Sequence, residues 1–485
     1  MRRSSAFAGV AMPQPPRPLL VVAASICLAI VADLLLRGAS WGLNLGLLAL
    51  LIAATYHWLQ KRSQISVSKT GQAFGLLSVA FALLFALRDS DALKTANTVA
   101  LVFCVGTMLM STGVGPLKTS GFATLLFGPI RKWFDLPVHA AKLANRARLE
   151  GEPSAQSKQR VAGIARGVAL ALPLLLVFGG LFGSADPVFR SKLENLFTPN
   201  LDFDALSGHI FTLLFSLVAV AGLLHALILR DDRPVPPEII KPAKGHLGAT
   251  EMGIVLGSLN LLFASFIAVQ FRYLFGARQT VGVTPGLSYA EYARGGFFEL
   301  VWVAALAFVV LLGTDALLKK SEPRGDMLFR WFGRGLVLMV FGVVGSALLR
   351  MKLYTGAFGL TELRVYSTVF MVWLTIAFAW MLVTTLNRQP QRFAFGSLLA
   401  GLGVIFVTNL LNPEAIMVRT NLAKPNADFS YLMSLSDDAL LAVQNMEGKI
   451  PPQNRAEYLA RLQQMKKIAG ADWRETNLSR WALTH

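Results

Sequence analysis

Eleven apolar stretches, each long enough to cross a lipid bilayer as a helix, are the strongest constraint on the fold of this chain. A bilayer core of about 30 Å requires about 20 helical residues. Only 15% of the residues are charged and 54% are hydrophobic, which is unusual for a soluble domain. The sequence therefore predicts an all-α, polytopic transmembrane helical bundle. The predicted spans are 19–36, 41–59, 71–87, 96–113, 163–183, 208–229, 252–275, 295–317, 328–349, 365–387 and 393–411.

The positive residues of the chain are distributed unevenly between the loops. Of 46 Lys and Arg residues, 26 fall in the alternate loops that include the N-terminus, 11 in the other loops and 9 in the C-terminal tail. Cytoplasmic loops are enriched in Lys and Arg, so we predict a cytoplasmic N-terminus and an extracytoplasmic C-terminus. The net charge of +18 follows from this bias, and no nucleic-acid partner is expected.

Three segments are predicted along the chain. Residues 1–162 form a four-span N-terminal segment with a basic inner loop, 163–411 form a seven-span membrane core, and 412–485 form an extracytoplasmic helical tail. The run 19–36 is predicted to be an uncleaved first helix. Residues 121–130 are too short to cross the membrane, which predicts a re-entrant or surface helix that ends at an interfacial Trp133.

The long inner loop, residues 114–162, is basic. Its charged residues are Lys142, Arg146, Arg148, Lys158 and Arg160 against Glu150 and Glu152. Each basic residue near an anionic membrane surface contributes about 1 kcal/mol of attraction. Membrane lipids with anionic headgroups are therefore the expected partner of this loop, and ordinary topology charge is the simpler interpretation.

Small residues recur at spacings that allow helices to approach closely in lipid. The pairs Gly42 with Gly46, Gly253 with Gly257, and Gly342 with Ser346 have the small-xxx-small spacing. This pattern predicts packing within the bundle.

The tail is predicted to contain two helices and to begin where Asn412-Pro413 ends the last span. Ser434 and Asp437 have the spacing of a capping box, and Asn454 with Glu457 predicts a second helix start. Tyr458, Leu462, Met465 and Ala469 fall on one face of that second helix, which Gly470 ends. Trp473 and Trp481 are expected to pack on this pair or to lie at the membrane interface.

Four stretches together resemble a known family. They are Tyr289–Leu300, Tyr354–Arg364, Phe429–Ser436 and Asp472–Arg480. In combination they resemble the bacterial multi-pass membrane family catalogued as domain of unknown function forty-one seventy-three. The likeness covers residues from about 160 to the end, while the first four spans match no family. It implies a bacterial plasma-membrane protein, and it implies no activity and no functional residues.

One cluster of polar and aromatic residues is a candidate site. These residues lie at the outer ends of the seventh to tenth predicted spans, near one membrane level. They are Arg272, Tyr273, Tyr289, Glu291, Arg294, Glu299, Arg350, Tyr354, Glu362 and Arg364. A carboxylate within the membrane is costly and usually faces the bundle, where it finds a partner, and we expect this of Glu299.

Two interpretations of this cluster remain open. The arginines could bind an anionic group while Glu299 or Glu291 serves as a base or proton carrier. Alternatively, these residues form ion pairs that lock helix ends, with Thr361 capping the tenth span. The six histidines lack the spacing of zinc ligands, and no cofactor or metal is expected. Asp33 is a weaker candidate.

Three functions are compatible with this sequence. An uncharacterised, non-catalytic envelope sensor or assembly subunit fits the absence of a catalytic motif. An ion-gradient-driven transporter or lipid-handling permease fits a buried Glu299 among arginines. A membrane transferase acting on lipid-linked substrates would use Glu291 or Glu299 as its acid or base, although its first outer loop would be only Arg37–Ser40.

Overall fold

A computed structural model describes residues 17–63, 68–112, 117, 121–150, 203–229, 246–280, 297–319, 322–387, 389–425, 427–469 and 472–485. Twelve helices precede the tail in this part of the chain. They are α1 (Pro18–Leu36), α2 (Leu43–Ser63), α3 (Lys69–Leu87), α4 (Asp91–Met110), α5 (Phe122–Phe134), α6 (Leu136–Glu150), α7 (Phe203–Ile228), α8 (Ala249–Thr280), α9 (Phe297–Leu317), α10 (Pro323–Phe358), α11 (Glu362–Val383) and α12 (Phe393–Leu411).

All of these except α5 and α6 are long and apolar enough to cross a membrane, which gives ten candidate spans among the described residues. A helix satisfies its own backbone hydrogen-bonding groups, and the bilayer core contains no water that could satisfy them instead. The all-α polytopic fold is confirmed, and ten predicted spans each coincide with one of these helices. The predicted span 163–183 lies outside the described residues.

The chain divides into two compact units that are not contiguous in sequence. The first unit comprises residues 1–39, 50–67 and 134–232. Within it, α1, α6 and α7 pack against one another. Helix α6 carries part of the predicted basic loop, and Arg146 donates a hydrogen bond to the terminal carbonyl of Leu229, 2.7 Å away. This guanidinium therefore caps the C-terminal end of α7.

The second unit comprises residues 40–49, 68–133 and 233–485. Its largest core lies among α8 to α12, where Leu336, Val337 and Val340 are fully buried. Helices α8 and α10 pack along each other, and a Cβ on Gly253 would lie 3.8 Å from Leu328. Ser346 donates to the Gln270 amide oxygen at 3.3 Å on the same pair of helices. The two helices that carry these small residues therefore pack within the bundle, as their spacing predicted.

A reciprocal amide pair joins α4 to α12. The side-chain amide of Asn97 donates to the Asn409 oxygen at 3.0 Å, and that of Asn409 donates to the Asn97 oxygen at 2.8 Å. Both residues are fully buried. Hydrogen bonds between side-chain amides hold transmembrane helices together because lipid offers these groups no alternative partner.

Helix α5 lies beside the span α4. The Trp133 indole N–H donates to the carbonyl of Val102, in the middle of α4, at 3.0 Å. A Cβ on Gly106 would overlap the Pro129 carbonyl oxygen, so the two backbones touch. Of the two predicted alternatives, this depth favours a re-entrant helix over a surface helix. Trp133, which was predicted to lie at the interface, is bonded to α4.

The tail contains five short helices. They are α13 (Pro413–Asn421), α14 (Phe429–Ser434), α15 (Asp437–Gln444), α16 (Arg455–Ala469) and α17 (Leu478–Thr484). The last span does end at Asn412, whose φ of 52° is left-handed and whose side chain accepts a bond from Ala415 N–H. Tyr458 and Met465 of α16 are buried in one apolar core together with Met417, Val418 and Val443.

Two helices were predicted for the tail, whereas its described part has five, and the position of the first cap also needs correction. The first tail cap is Ser436, whose hydroxyl accepts from Asp438 N–H at 3.2 Å, whereas Ser434 ends the preceding helix because Leu435 and Ser436 are extended. Trp473 and Trp481 are 60% and 54% exposed, so neither is packed into the helical core, and of the two expected positions the membrane interface is the one that agrees with this exposure. The second predicted start is confirmed, since α16 begins directly after Asn454, and Gly470 lies outside the described residues.

Substitution of Gly106 tests the contact between α4 and α5. We expect Gly106→Leu to destabilise the protein by about 3 kcal/mol, the upper end of the usual cost of overpacking, because its side chain would collide with backbone. The midpoint of thermal unfolding in detergent, followed by tryptophan fluorescence, measures this. Gly403→Leu is the matched control, because a Cβ at Gly403 meets nothing within 4 Å. Equal midpoints for the two variants would contradict the close approach of α5.

Candidate functional site

The structure locates five of the ten residues predicted to form the outer site. Tyr289, Glu291 and Arg294 lie outside the described residues. Arg272 and Tyr273 fall in the last turns of α8, where only the backbone is described. The five located residues are Glu299 on α9, Arg350 and Tyr354 on α10, and Glu362 and Arg364 on α11.

Glu299 does not face the bundle. It lies in the first turn of α9 on the exposed face, which it shares with the 68% exposed Trp302. The buried face of this helix carries Phe297, Leu300 and Ala304 instead. The expectation of an inward-facing carboxylate paired with an arginine of the cluster is therefore not met by this side chain.

The residues around the turn between α10 and α11 bind backbone and aromatic groups. The Arg364 guanidinium stacks 4.1 Å from the centre of the Tyr354 ring and donates to the Gly359 carbonyl at 2.5 Å. The Glu362 N–H donates to the Tyr431 hydroxyl of the tail at 2.9 Å. Arg350 is buried in α10. Thr361 occupies the cap position of α11 but makes no side-chain cap bond.

A second cluster of polar residues, which the sequence did not single out, is more deeply buried. It joins the turn between α3 and α4 to the tail, and we name it the tail–bundle network. Its members are Arg88, Asp89, Ser90, Lys94, Glu414, Ser436, Asp437, Asp438, Arg461, Asn477, Ser479 and Arg480.

Asp438 is the most buried carboxylate of the network, with 1% of its surface exposed. One of its oxygens accepts from the backbone N–H groups of Asp89 at 2.9 Å and Ser90 at 3.4 Å. The other accepts from the Ser479 hydroxyl, and Arg88 is 4.0 Å away. A tail residue thus receives the free backbone donors of the turn between α3 and α4.

Arg480 binds two carboxylates from different parts of the chain. Its Nε donates to Asp437 Oδ2 at 2.6 Å, and its Nη2 lies 3.5 Å from Asp89 Oδ1. Asp89 also accepts from the Lys94 ammonium at 2.8 Å and the Asn477 amide at 3.0 Å. The guanidinium therefore bridges the turn of the bundle to the start of α15.

Glu414 is also buried in this network, with 2% of its surface exposed. One of its oxygens accepts from the N–H of Ser436 at 3.1 Å and from its hydroxyl at 2.6 Å. The Ser90 hydroxyl and the Tyr366 hydroxyl are 3.2 Å apart nearby. No guanidinium or ammonium reaches Glu414 within ion-pair distance among the described residues.

The acids of the network differ in their protonation equilibria. Burial raises the pKa of Glu414 to about 7, although the Ser436 hydroxyl opposes this. Burial also raises the pKa of Asp438 and of Asp437 above the ordinary value. Burial acts on Asp89 in the same sense, but Lys94 and Arg480 outweigh it and lower the pKa of that carboxyl. Near neutral pH, Glu414 can therefore take up a proton while Asp89 stays ionised.

Several signals in the sequence pointed toward this network without identifying it. Asp437 and Asp438 stand next to each other beside an apolar run, and Arg88 and Asp89 occupy a turn of a few residues between two spans. Each pair has an ordinary local explanation, as helix-start acids or as topology charge. Their meeting depends on tertiary structure alone.

The first unit holds a separate ionisable group. Asp33 is buried in α1, and its Oδ2 lies 2.6 Å from His209 Nδ1 on α7. Arg37 donates to the other nitrogen of that ring, so His209 carries its proton on Nδ1, toward Asp33. The second oxygen of Asp33 has no hydrogen-bond partner in the described structure.

Two of the six histidines also meet in this unit. The Nδ1 atoms of His139 and His225 are 3.1 Å apart. No group of three or more His, Cys, Asp or Glu residues suited to a metal ion occurs in the part of the chain that is described.

The chain belongs to the family described as Domain of unknown function (DUF4153), whose model matches residues 19–446. The match confirms a family of unknown function and gives its designation as 4153, where the motifs had suggested forty-one seventy-three. It extends over the first four spans, which the sequence motifs had left unassigned, and ends before the Asp472–Arg480 stretch. No curated protein and no solved structure matches the chain.

Removal of Arg480 tests whether the network holds the tail in place. Arg480→Ala leaves Asp437 and Asp89 buried without their shared partner, and we expect a loss of about 3 kcal/mol in the free energy of unfolding. Unfolding of the tail in detergent, measured by protease digestion across a denaturant series, gives this value. Arg474→Ala removes an ion pair with Asp472 within the tail and is the matched control. A similar loss in both variants would show that the network contributes no more than a surface pair.

Stability should depend on pH through Glu414. Because its pKa is raised to about 7 from 4.5, its stabilising contribution is complete below pH 4.5 and is lost as the pH rises through 7. Glu414→Gln resembles the protonated acid, so we expect wild type and variant to differ by less than about 1 kcal/mol at pH 5. The variant should be more stable at pH 8, by on the order of 3 kcal/mol.

The measurement for Glu414 is the difference in unfolding midpoint between variant and wild type across pH 5 to 8. Glu447→Gln removes the carboxylate of a half-exposed residue and is the matched control for the change from acid to amide. The same pH dependence in Glu414→Gln and Glu447→Gln would contradict a raised pKa of Glu414.

Proposed function

We propose that this protein is a non-catalytic sensor or assembly subunit of a bacterial plasma membrane, in which protonation controls how firmly the tail is docked on the bundle. The observation that carries the proposal is the buried bridge from Arg480 to Asp437 and Asp89, with the titrating Glu414 beside it. A change in the protonation of a buried group at a contact between two structural elements can act as a pH-dependent switch.

The contacts of the tail support docking of the tail at one end of the membrane bundle. Besides the turn that contains Asp89, the tail binds the start of α2, where the Leu43 N–H donates to the Thr476 carbonyl at 3.0 Å. It also binds the turn before α11, where the Asn421 side chain pairs with both backbone groups of Leu360 at 2.7 and 2.8 Å. These are the helix ends that the basic-residue count assigns to the extracytoplasmic side.

The saturation of the network favours a regulatory role over catalysis. Asp89, Asp437, Asp438 and Glu414 each accept hydrogen bonds from protein groups. A general acid or base must instead reach a substrate within about 3 Å. Buried ionic groups are often no more stabilising than apolar residues, and their best-attested use is specificity or switching.

A transporter is the second candidate, and one observation favours it. Asp33 lies within a span, is bonded to His209, and keeps one buried oxygen without a partner. Ionisable residues in such positions commonly belong to proton relays. Loss of a proton-driven flux in Asp33→Asn, with the docking of the tail unchanged, would favour this candidate over the sensor.

Protease protection in membrane vesicles tests the sensor proposal. Trypsin added to right-side-out vesicles should cleave the tail at exposed sites such as Arg455 and should leave the tail intact in inverted vesicles. Cleavage within α17, normalised to that of an unstructured peptide, should be at least fivefold faster at pH 8 than at pH 6 for wild type. In Glu414→Gln the two rates should agree.

Two outcomes would contradict the proposal. Tail cleavage in inverted vesicles alone would place the tail in the cytoplasm. An unchanged rate across this pH range in wild type would show that protonation does not control docking.

A further inference from the structure

We propose that a groove between α11 and α12 binds one anionic phospholipid, with an acyl chain along the groove and the phosphate on Arg392. The groove has a volume of about 730 Å³. Its apolar lining comes from both helices, and Arg392 is the one charged residue among the groups that line it. The lining residues are Ile376, Ala379, Trp380, Val383, Phe395, Gly396, Leu399 and Ala400.

The shape of the groove depends on a glycine. A Cβ on Gly396 would overlap the indole ring of Trp380, so the absence of a side chain lets the ring lie against α12. The indole N–H donates to the Arg392 carbonyl at 3.2 Å, which satisfies its one polar group. The ring therefore forms a fixed apolar floor, close to the end of the helix pair that carries the arginine.

The surroundings of the groove are lipid rather than water. Both helices are candidate membrane spans, and three lining side chains are well exposed: Ile376 at 41%, Val383 at 58% and Leu399 at 41%. Apolar residues exposed on a span face hydrocarbon. A concave apolar surface of this size lies within the range of small-ligand sites, and an acyl chain has the matching polarity.

Arg392 supplies the charge complementarity for a phosphate. It ends the short 3₁₀ turn Pro390–Arg392 directly before α12, and it is exposed. Within the described chain its guanidinium has no carboxylate partner. Arginine binds phosphate through two parallel hydrogen bonds, and the N-terminal end of α12 adds a favourable dipole. A headgroup phosphate at this level would leave its acyl chains alongside Trp380.

Lipid binding can be measured on the whole chain purified in mild detergent. Phosphatidylglycerol and phosphatidylcholine with identical acyl chains are titrated, and retained lipid is counted by native mass spectrometry. We expect wild type to retain phosphatidylglycerol at least tenfold more strongly. Arg392→Gln should reduce that preference about tenfold, while Arg419→Gln, at an exposed arginine of α13, should leave it unchanged.

A second variant tests the acyl-chain site. Ala400→Phe fills the groove from its open side and should lower retention of both lipids, whereas Leu410→Phe on the exposed surface of α12 should not. A photoactivatable phosphatidylglycerol should label residues between 376 and 400 in wild type. Correct folding of each variant is checked by its unfolding midpoint.

Three results would overturn the proposal. Equal retention of the two lipids by wild type would show ordinary annular lipid. An unaltered preference in Arg392→Gln would remove the phosphate site. Cross-links from this surface to a second polypeptide in place of lipid would assign the groove to a protein partner.

Discussion

A charge taken out of water must be paired or neutralised, and this constraint determines where the tail of the protein lies. Asp437 and Asp438 lie in the first turn of α15. In the folded chain they are buried, and Asp438 accepts the backbone N–H groups of Asp89 and Ser90. Because an unpaired buried carboxylate costs several kcal/mol, the docked position of the tail requires the donors of this turn, and loss of one donor while the acids stay buried would be destabilising.

The membrane bundle could be predicted from the sequence because its signal is local. Each span is a continuous apolar run, and the solvent dictates a helix for such a run. Packing of α8 within the bundle was also predictable, since Gly253 and Gly257 have the small-xxx-small spacing, although this spacing did not identify α10 as the partner helix. The contact between Gly106 and Pro129 was not accessible from spacing, because the partner of the glycine is a re-entrant helix rather than a second span.

The candidate site was predicted less well, for physical reasons that differ between residues. The expectation for Glu299 rested on the cost of burying a carboxylate deep in the membrane. In the structure this residue occupies the first turn of α9, where the carboxylate can extend toward the interface and is favoured by the helix dipole. The tail–bundle network escaped prediction because Asp89 and Asp437 are 348 residues apart, and no pattern in the chain relates them.

The family match ends within the tail of the protein. Residues 19–446 contain the acids Asp89, Glu414, Asp437 and Asp438, whereas Asn477, Ser479 and Arg480 lie beyond them. The donors from α17 and the residue before it therefore come from a segment outside the matched region. That segment places one guanidinium between two buried carboxylates, so its attachment and the ionisation of the acids are coupled. Any ligand or partner that displaced α17 would have to replace this positive charge or supply protons in its place.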